Sequence, residues 1–179
     1  MFTTCFFSNL YLGGYRDFAS ITHGYDRLES NYGIKKITDY ATAVDRAAKT
    51  VTLADGSSVP YDRLVVSPGI DLIYDSVEGY SEEAAQIAPH AWKAGPQTQL
   101  LKAKLDAVKD GEQIVMVTPP NPFRCPPGPY ERASMMAHLL KSRGFANSKV
   151  IIIDPKEKFS KQGLFEEGWQ KYYPGMIEW

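Results

Sequence analysis

The chain of 179 residues is short of several things, and each shortage removes a class of function. Two cysteines, Cys5 and Cys125, allow one disulfide at most, so this is no disulfide-stapled scaffold. Three histidines and two cysteines give no cluster at zinc spacing. No Walker loop and no G-x-S-x-G elbow occurs, which leaves P-loop phosphoryl transfer and the common serine hydrolase turn without their parts. No apolar run reaches the roughly 18 to 20 residues of a membrane span, and no signal peptide or lipidation motif is recognisable. A net charge of -1, with lysines and arginines scattered, gives no electrostatic reason to expect nucleic acid or an anionic membrane.

What is present is the composition of a globular protein: 44% hydrophobic and 23% charged residues. From 16 to 32, Phe18, Ile21, Tyr25 and Leu28 recur near the 3.6 period, predicting a short helix or helical turn. Ala41–Val44, Thr50–Leu53 and the stretch from Tyr61 through Leu64–Val66 are β-prone, with Asp55-Gly56 as a hairpin signal between the last two. A meander followed by a buried strand ending at Ser67-Pro68-Gly69 is predicted. Residues 70–96 are irregular and resemble a linker. Gln97–Lys109 is an amphipathic helix with Leu100, Leu101, Leu105 and Val108 on one face, stopped by Gly111.

Ile114–Val117 and Val150–Ile153 bracket a helix from Tyr130 to Arg143, which Gly144 closes, and that order is a βαβ unit. Its first turn is where a glycine-rich phosphate loop belongs. Here the turn is "PFRCPPGPYERA", crowded by Pro122, Pro126, Pro127 and Pro129. Proline removes N–H donors and fixes φ, so the loop is poorly suited to cradle a diphosphate and well suited to fix one side chain in space. Cys125 is the candidate, because a helix start and the neighbouring Arg124 both lower a thiol pKa. The alternative is a buried cysteine acting as a small hydrophobe. For Cys5, among aromatic neighbours in "TTCFFSNLYLGG", packing is the simpler reading, with redox or attachment roles open. His90, beside Trp92 in "PHAWKAG", could line a flavin or substrate pocket or simply pack; His23 reads as capped or solvated, and Glu131 and Arg132 as first-turn helix charges.

The stretches "CFFSNLYLGG", "HGYD", "YDRLVVSPGIDLIYDSVEGYSEEAAQIAPHAWKAGPQT", "PFRCPPGPYERAS" and "KVIIIDPKEKFSKQGLFEEGW" resemble the flavoprotein subunit of flavocytochrome c sulfide dehydrogenase, within the pyridine nucleotide-disulfide oxidoreductase fold group. The resemblance implies an α/β fold made of parts of two Rossmann-like domains with a β-meander. Residues 1–90 would form a partial FAD-binding domain, and residues 91–179 a second domain lacking a nicotinamide phosphate loop. It also implies FAD, with Cys5 as its covalent attachment through the flavin 8α-methyl group. Val44 would touch the adenine end and Ser67, Pro68 and Gly69 would close over the cofactor. Cys125 would be half of a redox-active disulfide that oxidises sulfide, electrons passing to a cytochrome c haem subunit in the periplasm. No G-x-G-x-x-G start precedes Cys5 and no later cysteine follows Cys125, so the chain reads as an internal fragment of such a subunit. A sulfide:quinone oxidoreductase-like flavoprotein and a non-catalytic module are the rival expectations.

Overall fold

The computed structural model describes residues 1–179, which divide into two compact units, Met1–His23 with Ile73–Trp179, and Gly24–Leu72. In chain order the elements are β1 (Phe2–Thr3), α1 (Ser8–Leu12), β2 (Thr22–His23), α2 (Asp26–Tyr32), β3 (Ala41–Asp45), β4 (Thr50–Leu53) and β5 (Ser58–Pro60). They continue with α3 (Ala84–Ile87), α4 (Pro96–Ala107), β6 (Gln113–Val117), α5 (Gly128–Ser142), β7 (Lys149–Ile153), α6 (Gln162–Tyr172) and β8 (Ile177–Glu178). The fold is mixed α/β.

The first unit is organised by the βαβ pattern. β6 pairs with β7 in parallel, Ile114 opposite Val150 and Met116 opposite Ile152, and β7 pairs with β8. These inward residues face α5, whose Tyr130, Ala133, Ala137 and Leu140 recur at helical spacing and are buried. The opposite side of the sheet is bare: Val115 is 57%, Val117 67% and Ile153 55% exposed. Phe159 and Trp169 close the core at the far end, Phe159 lying flat on Tyr130 with ring centroids 3.6 Å apart. The indole N–H of Trp169 donates to Ser134 Oγ at 2.8 Å, so this buried ring keeps a polar partner.

α4 begins at Pro96, where a missing N–H costs nothing, and the Thr98 hydroxyl accepts from the Gly95 N–H at 3.2 Å. Asp106 on α4 pairs with Lys102 one turn back and with Arg143 at the end of α5, joining the two helices at the surface. α1, which the sequence pattern left within a loop, is a five-residue helix packed on α5 and α4 through the fully buried Leu12.

The second unit is thin. β3, β4 and β5 form an antiparallel meander with Val44 opposite Val51 and Val51 opposite Val59. The Asp55-Gly56 turn sits where its residues require it, Gly56 having φ +85°. α2 falls inside the predicted helical stretch and ends on Gly33 in the left-handed region. Leu64–Val66, expected as a buried strand, form none: Val65 is 86% and Val66 71% exposed, and no strand offers its backbone to them. A β-prone run becomes a strand only where a neighbouring ladder satisfies its N–H and C=O groups. His23 lies in β2 and is exposed rather than in a helical turn.

The core of the first unit generates a stability prediction. Leu140 is 1% exposed in a packed cluster. Leu140→Ala is expected to lower the unfolding free energy by about 2–5 kcal/mol, measured as a shift in urea midpoint at unchanged m.

Candidate functional site

Arg132 sits on α5 at the spacing of Met136 and Leu139, that is, on the buried face, and it is 5% exposed. A guanidinium there must have its donors satisfied. Nη1 donates to the carbonyl of His90 at 2.8 Å, Nη2 to that of Ala91 at 2.8 Å, and Nε to Asn9 Oδ1 at 3.1 Å. Asn9 in turn donates from Nδ2 toward Glu131 Oε2 at 3.5 Å. All three acceptors of Arg132 are neutral oxygens, and no carboxylate pairs with it. Its charge also lies over the ring of Trp92, 5.1 Å from the centroid. Burial pulls its pKa down to about 10, and the charges of Cys5 and Cys125 act in the opposite direction. It remains a cation at neutral pH.

Three segments are thereby tied to α5: the start of α1, the loop at 90–92, and the turn that leads into α5 itself. Each carries a residue singled out by the sequence. Cys5 precedes α1, and its carbonyl accepts from the Ser8 N–H at 3.0 Å. Its thiol points to the carbonyl of Trp92, 3.6 Å away. Cys125 lies in the proline-rich turn, its carbonyl accepting from the Gly128 N–H at 2.9 Å. A Cβ built on Gly128 would stand 2.6 Å from Trp92 and 3.2 Å from Cys125 Sγ, so only glycine lets the turn close against the indole. Both thiols are free and exposed, and each falls within electrostatic reach of Arg132. His90 completes the cluster: its Nδ1 accepts from the Trp92 N–H at 2.9 Å, which fixes the ring, and its pKa is lowered by burial, Arg132 and Lys93.

Four non-glycine residues have positive φ, and two of them, Ala91 at +46° and Cys125 at +61°, belong to this cluster. Such conformations cost of order 1–3 kcal/mol each and persist where the surroundings over-determine them.

Three expectations are corrected. Cys125 is not a buried hydrophobe. Nor is its thiol pKa lowered: partial desolvation and the charge of Glu131 raise it, and Arg124 with the Gly128 N–H only partly offset them. Arg132, read as a first-turn helix charge, is the buried centre of the cluster. Its signal was available in the spacing of Arg132, Met136 and Leu139 on one helical face. Val44, in β3, and the exposed Ser67, Pro68 and Gly69 belong to the second unit.

The family model described as the central part of the sulfide dehydrogenase (flavocytochrome c) flavoprotein chain matches residues 98–179. The match covers just under half of the chain. That span holds Cys125, Gly128, Glu131 and Arg132, so the family's part of the cluster is α5 and the turn before it. A sulfide-quinone reductase of Aquifex aeolicus (strain VF5) is 31% identical over 133 residues, covering 73% of this chain and 29% of the relative. The solved sulfide:quinone oxidoreductase from Aquifex aeolicus superposes with a TM-score of 0.75 at 23% identity, over 99% of this chain and 42% of that one. Putidaredoxin reductase, in its covalent complex with putidaredoxin, gives 0.61 at 18% identity, over 96% and 38%. The chain thus spans under half the length of these relatives, and the structural likeness shows that it shares their fold.

The residues of this cluster suit a flavin at its reactive end. Two accessible thiols stand beside a buried cation that no carboxylate neutralises, a donor set suited to a redox ring that gains negative charge. The same electrostatics give a prediction. Glu131→Gln is expected to move the midpoint of Cys125 alkylation to lower pH, and Arg124→Gln to higher pH, followed by iodoacetamide labelling and peptide mass spectrometry across a pH series.

Proposed function

We propose that the protein carrying this chain oxidises sulfide to sulfur or polysulfide through a cysteine disulfide and FAD, delivering the electrons to a cytochrome c haem subunit in the periplasm. The observation that carries this reading is that two exposed thiols, Cys5 and Cys125, lie by the buried guanidinium of Arg132, with Cys125 and Arg132 inside the stretch the family model matches.

In this reading Cys125 is one half of a disulfide whose other half is not Cys5. Hydrosulfide attacks one sulfur of the pair, the S–S bond breaks, the attacked sulfur becomes a persulfide and the other departs as a thiolate. Sulfide supplies the electron pair and the disulfide is reduced. Charge left on Cys125 would lie near Arg132, fixed in place by His90, Ala91 and Asn9, whose field offsets part of the cost that desolvation and Glu131 impose on the thiolate. Trp92 walls one side of the turn and limits water there. Cys5 would hold FAD covalently through the flavin 8α-methyl group, with the Val44 backbone at the adenine end and Ser67, Pro68 and Gly69 closing over it. FAD, when bound, supplies a two-electron sink that can release electrons singly to a haem.

A second reading has support from the sulfide-quinone reductase relative: the same sulfur chemistry with a quinone as acceptor. No helix of the chain is long and apolar enough to cross a membrane. Turnover with sulfide and either cytochrome c or a soluble quinone separates the two, since only one acceptor should support a saturable rate.

Two outcomes test the residue assignments. Cys125→Ser is expected to lower sulfide-dependent flavin reduction by about 10²-fold or more. Wild-type reduction rates in that variant would remove Cys125 from the reaction. After tryptic digestion the flavin should travel with the peptide containing Cys5, and in Cys5→Ser it should be released by acid precipitation. An unmodified Cys5 in flavin-loaded protein would rule out the tether.

A further inference from the structure

Asp154 and Lys156, just past the end of β7, take no part in the chemistry above, yet they hold the turn that carries Cys125. In dinucleotide-binding domains an acidic residue at this strand end receives a ribose hydroxyl. Here the carboxylate is consumed inside the chain. Lys156 Nζ is 2.6 Å from Oδ1 and the Lys156 backbone N–H donates to it at 3.1 Å. The Tyr130 hydroxyl donates to Oδ2 at 2.6 Å and the Trp179 indole at 2.9 Å. The ion pair is buried, its side chains 8% and 2% exposed. Burial would raise the Asp154 carboxyl, but hydrogen bonds from Lys156, Tyr130 and Trp179 outweigh it and hold the group well below the usual carboxylate range.

The other side of Lys156 faces the turn. Nζ donates to Thr118 Oγ1 at 3.0 Å and to the carbonyl of Pro119 at 2.8 Å, and it lies 5.0 Å from the centroid of the Phe123 ring. The pair therefore grips the chain before Cys125 through Thr118, Pro119 and Phe123, and after it through Tyr130 in the first turn of α5. Tyr130 is fully buried. Between these anchors the backbone adopts the left-handed conformation at Cys125.

We propose that Asp154 and Lys156 are positioning residues for Cys125, a buried ion pair that fixes the turn on both sides of the sulfur and so sets how far the thiol is withdrawn from water. The inference rests on the reading of Cys125 as the reacting sulfur, and its consequence appears in the thiol itself. Prolines stiffen the turn but cannot choose its orientation; the ion pair chooses it. The charged and titratable groups around that thiol are Glu131 on α5, Arg124 in the turn, Cys5 before α1 and Arg132 beneath them, and none of these is altered by the variants below.

The test labels both cysteines of the whole chain with iodoacetamide across a pH series, quantifying each by its peptide. Tyr130→Phe removes one hydroxyl and no charge; Lys156→Met removes the grip on the turn, and Lys156→Arg restores a cation there. Tyr130→Phe and Lys156→Met are each expected to speed Cys125 labelling at neutral pH about threefold or more and to move its midpoint to lower pH, with Cys5 unchanged and Lys156→Arg near wild type. Loss of the Lys156 charge alone would move the midpoint the other way, so the sign separates loosening from simple electrostatics. Should Lys156→Met fail to fold, Tyr130→Phe and Thr118→Val decide, because each leaves the ion pair in place. Folded variants whose Cys125 profile overlays wild type overturn the proposal, and so does an equal acceleration at Cys5 and Cys125, which would be general loosening. A Cys125-specific change alongside wild-type flavin reduction in Cys125→Ser keeps the positioning and removes only its link to sulfide.

Discussion

One buried positive charge organises the region on which everything else depends. Arg132 cannot leave its place without stranding two backbone carbonyls and the Asn9 amide, and they cannot leave theirs without stranding a desolvated guanidinium. Removing one partner of such a set is far more costly than the set is worth in net stability. Segments distant in sequence, around residues 5–9, 90–92 and 125–132, therefore share one geometry. The cation has no carboxylate partner, so its charge is not neutralised locally.

The turn before α5 departs from the phosphate-binding form of a dinucleotide-type βαβ unit while the strands and crossover helix keep its pattern. A phosphate site needs free N–H groups and close backbone approach. Proline deletes the donors, Trp92 occupies the space a Cβ on Gly128 would claim, and Asp154 spends its oxygens on Tyr130, Lys156 and Trp179. The same strand ends and the same helix start now present a thiol. Stiffness comes from the prolines, orientation from polar contacts, and the strained backbone at Cys125 records that both act on one residue.

The elements that were legible in the sequence are those whose partners lie within the same pattern. β6, α5 and β7 show their periods because one sheet face and one helix face meet each other. The Asp55-Gly56 hairpin is local and was equally plain. α1 was hidden because five residues are too few to show a period, and Leu64–Val66 misled because an apolar β-prone run does not reveal whether a neighbouring strand exists. At the site, Cys5 and Cys125 are visible as residue types, but their common neighbour Arg132 shows in the sequence only as a first-turn helix charge. The direction of the Cys125 pKa was missed for a related reason. Arg124 and the helix start are read from adjacent positions, whereas the partial burial of the thiol is a property of the folded surface.

The uncovered side of the parallel sheet has a consequence for anyone handling the molecule. Val115, Val117 and Ile153 line up in a stripe that water wets at a cost, and solutes excluded from protein surfaces raise that cost. Ammonium sulfate or concentrated phosphate should thus drive copies of the chain together through this stripe before they disturb the cysteine cluster, so low-salt buffers favour dispersed material.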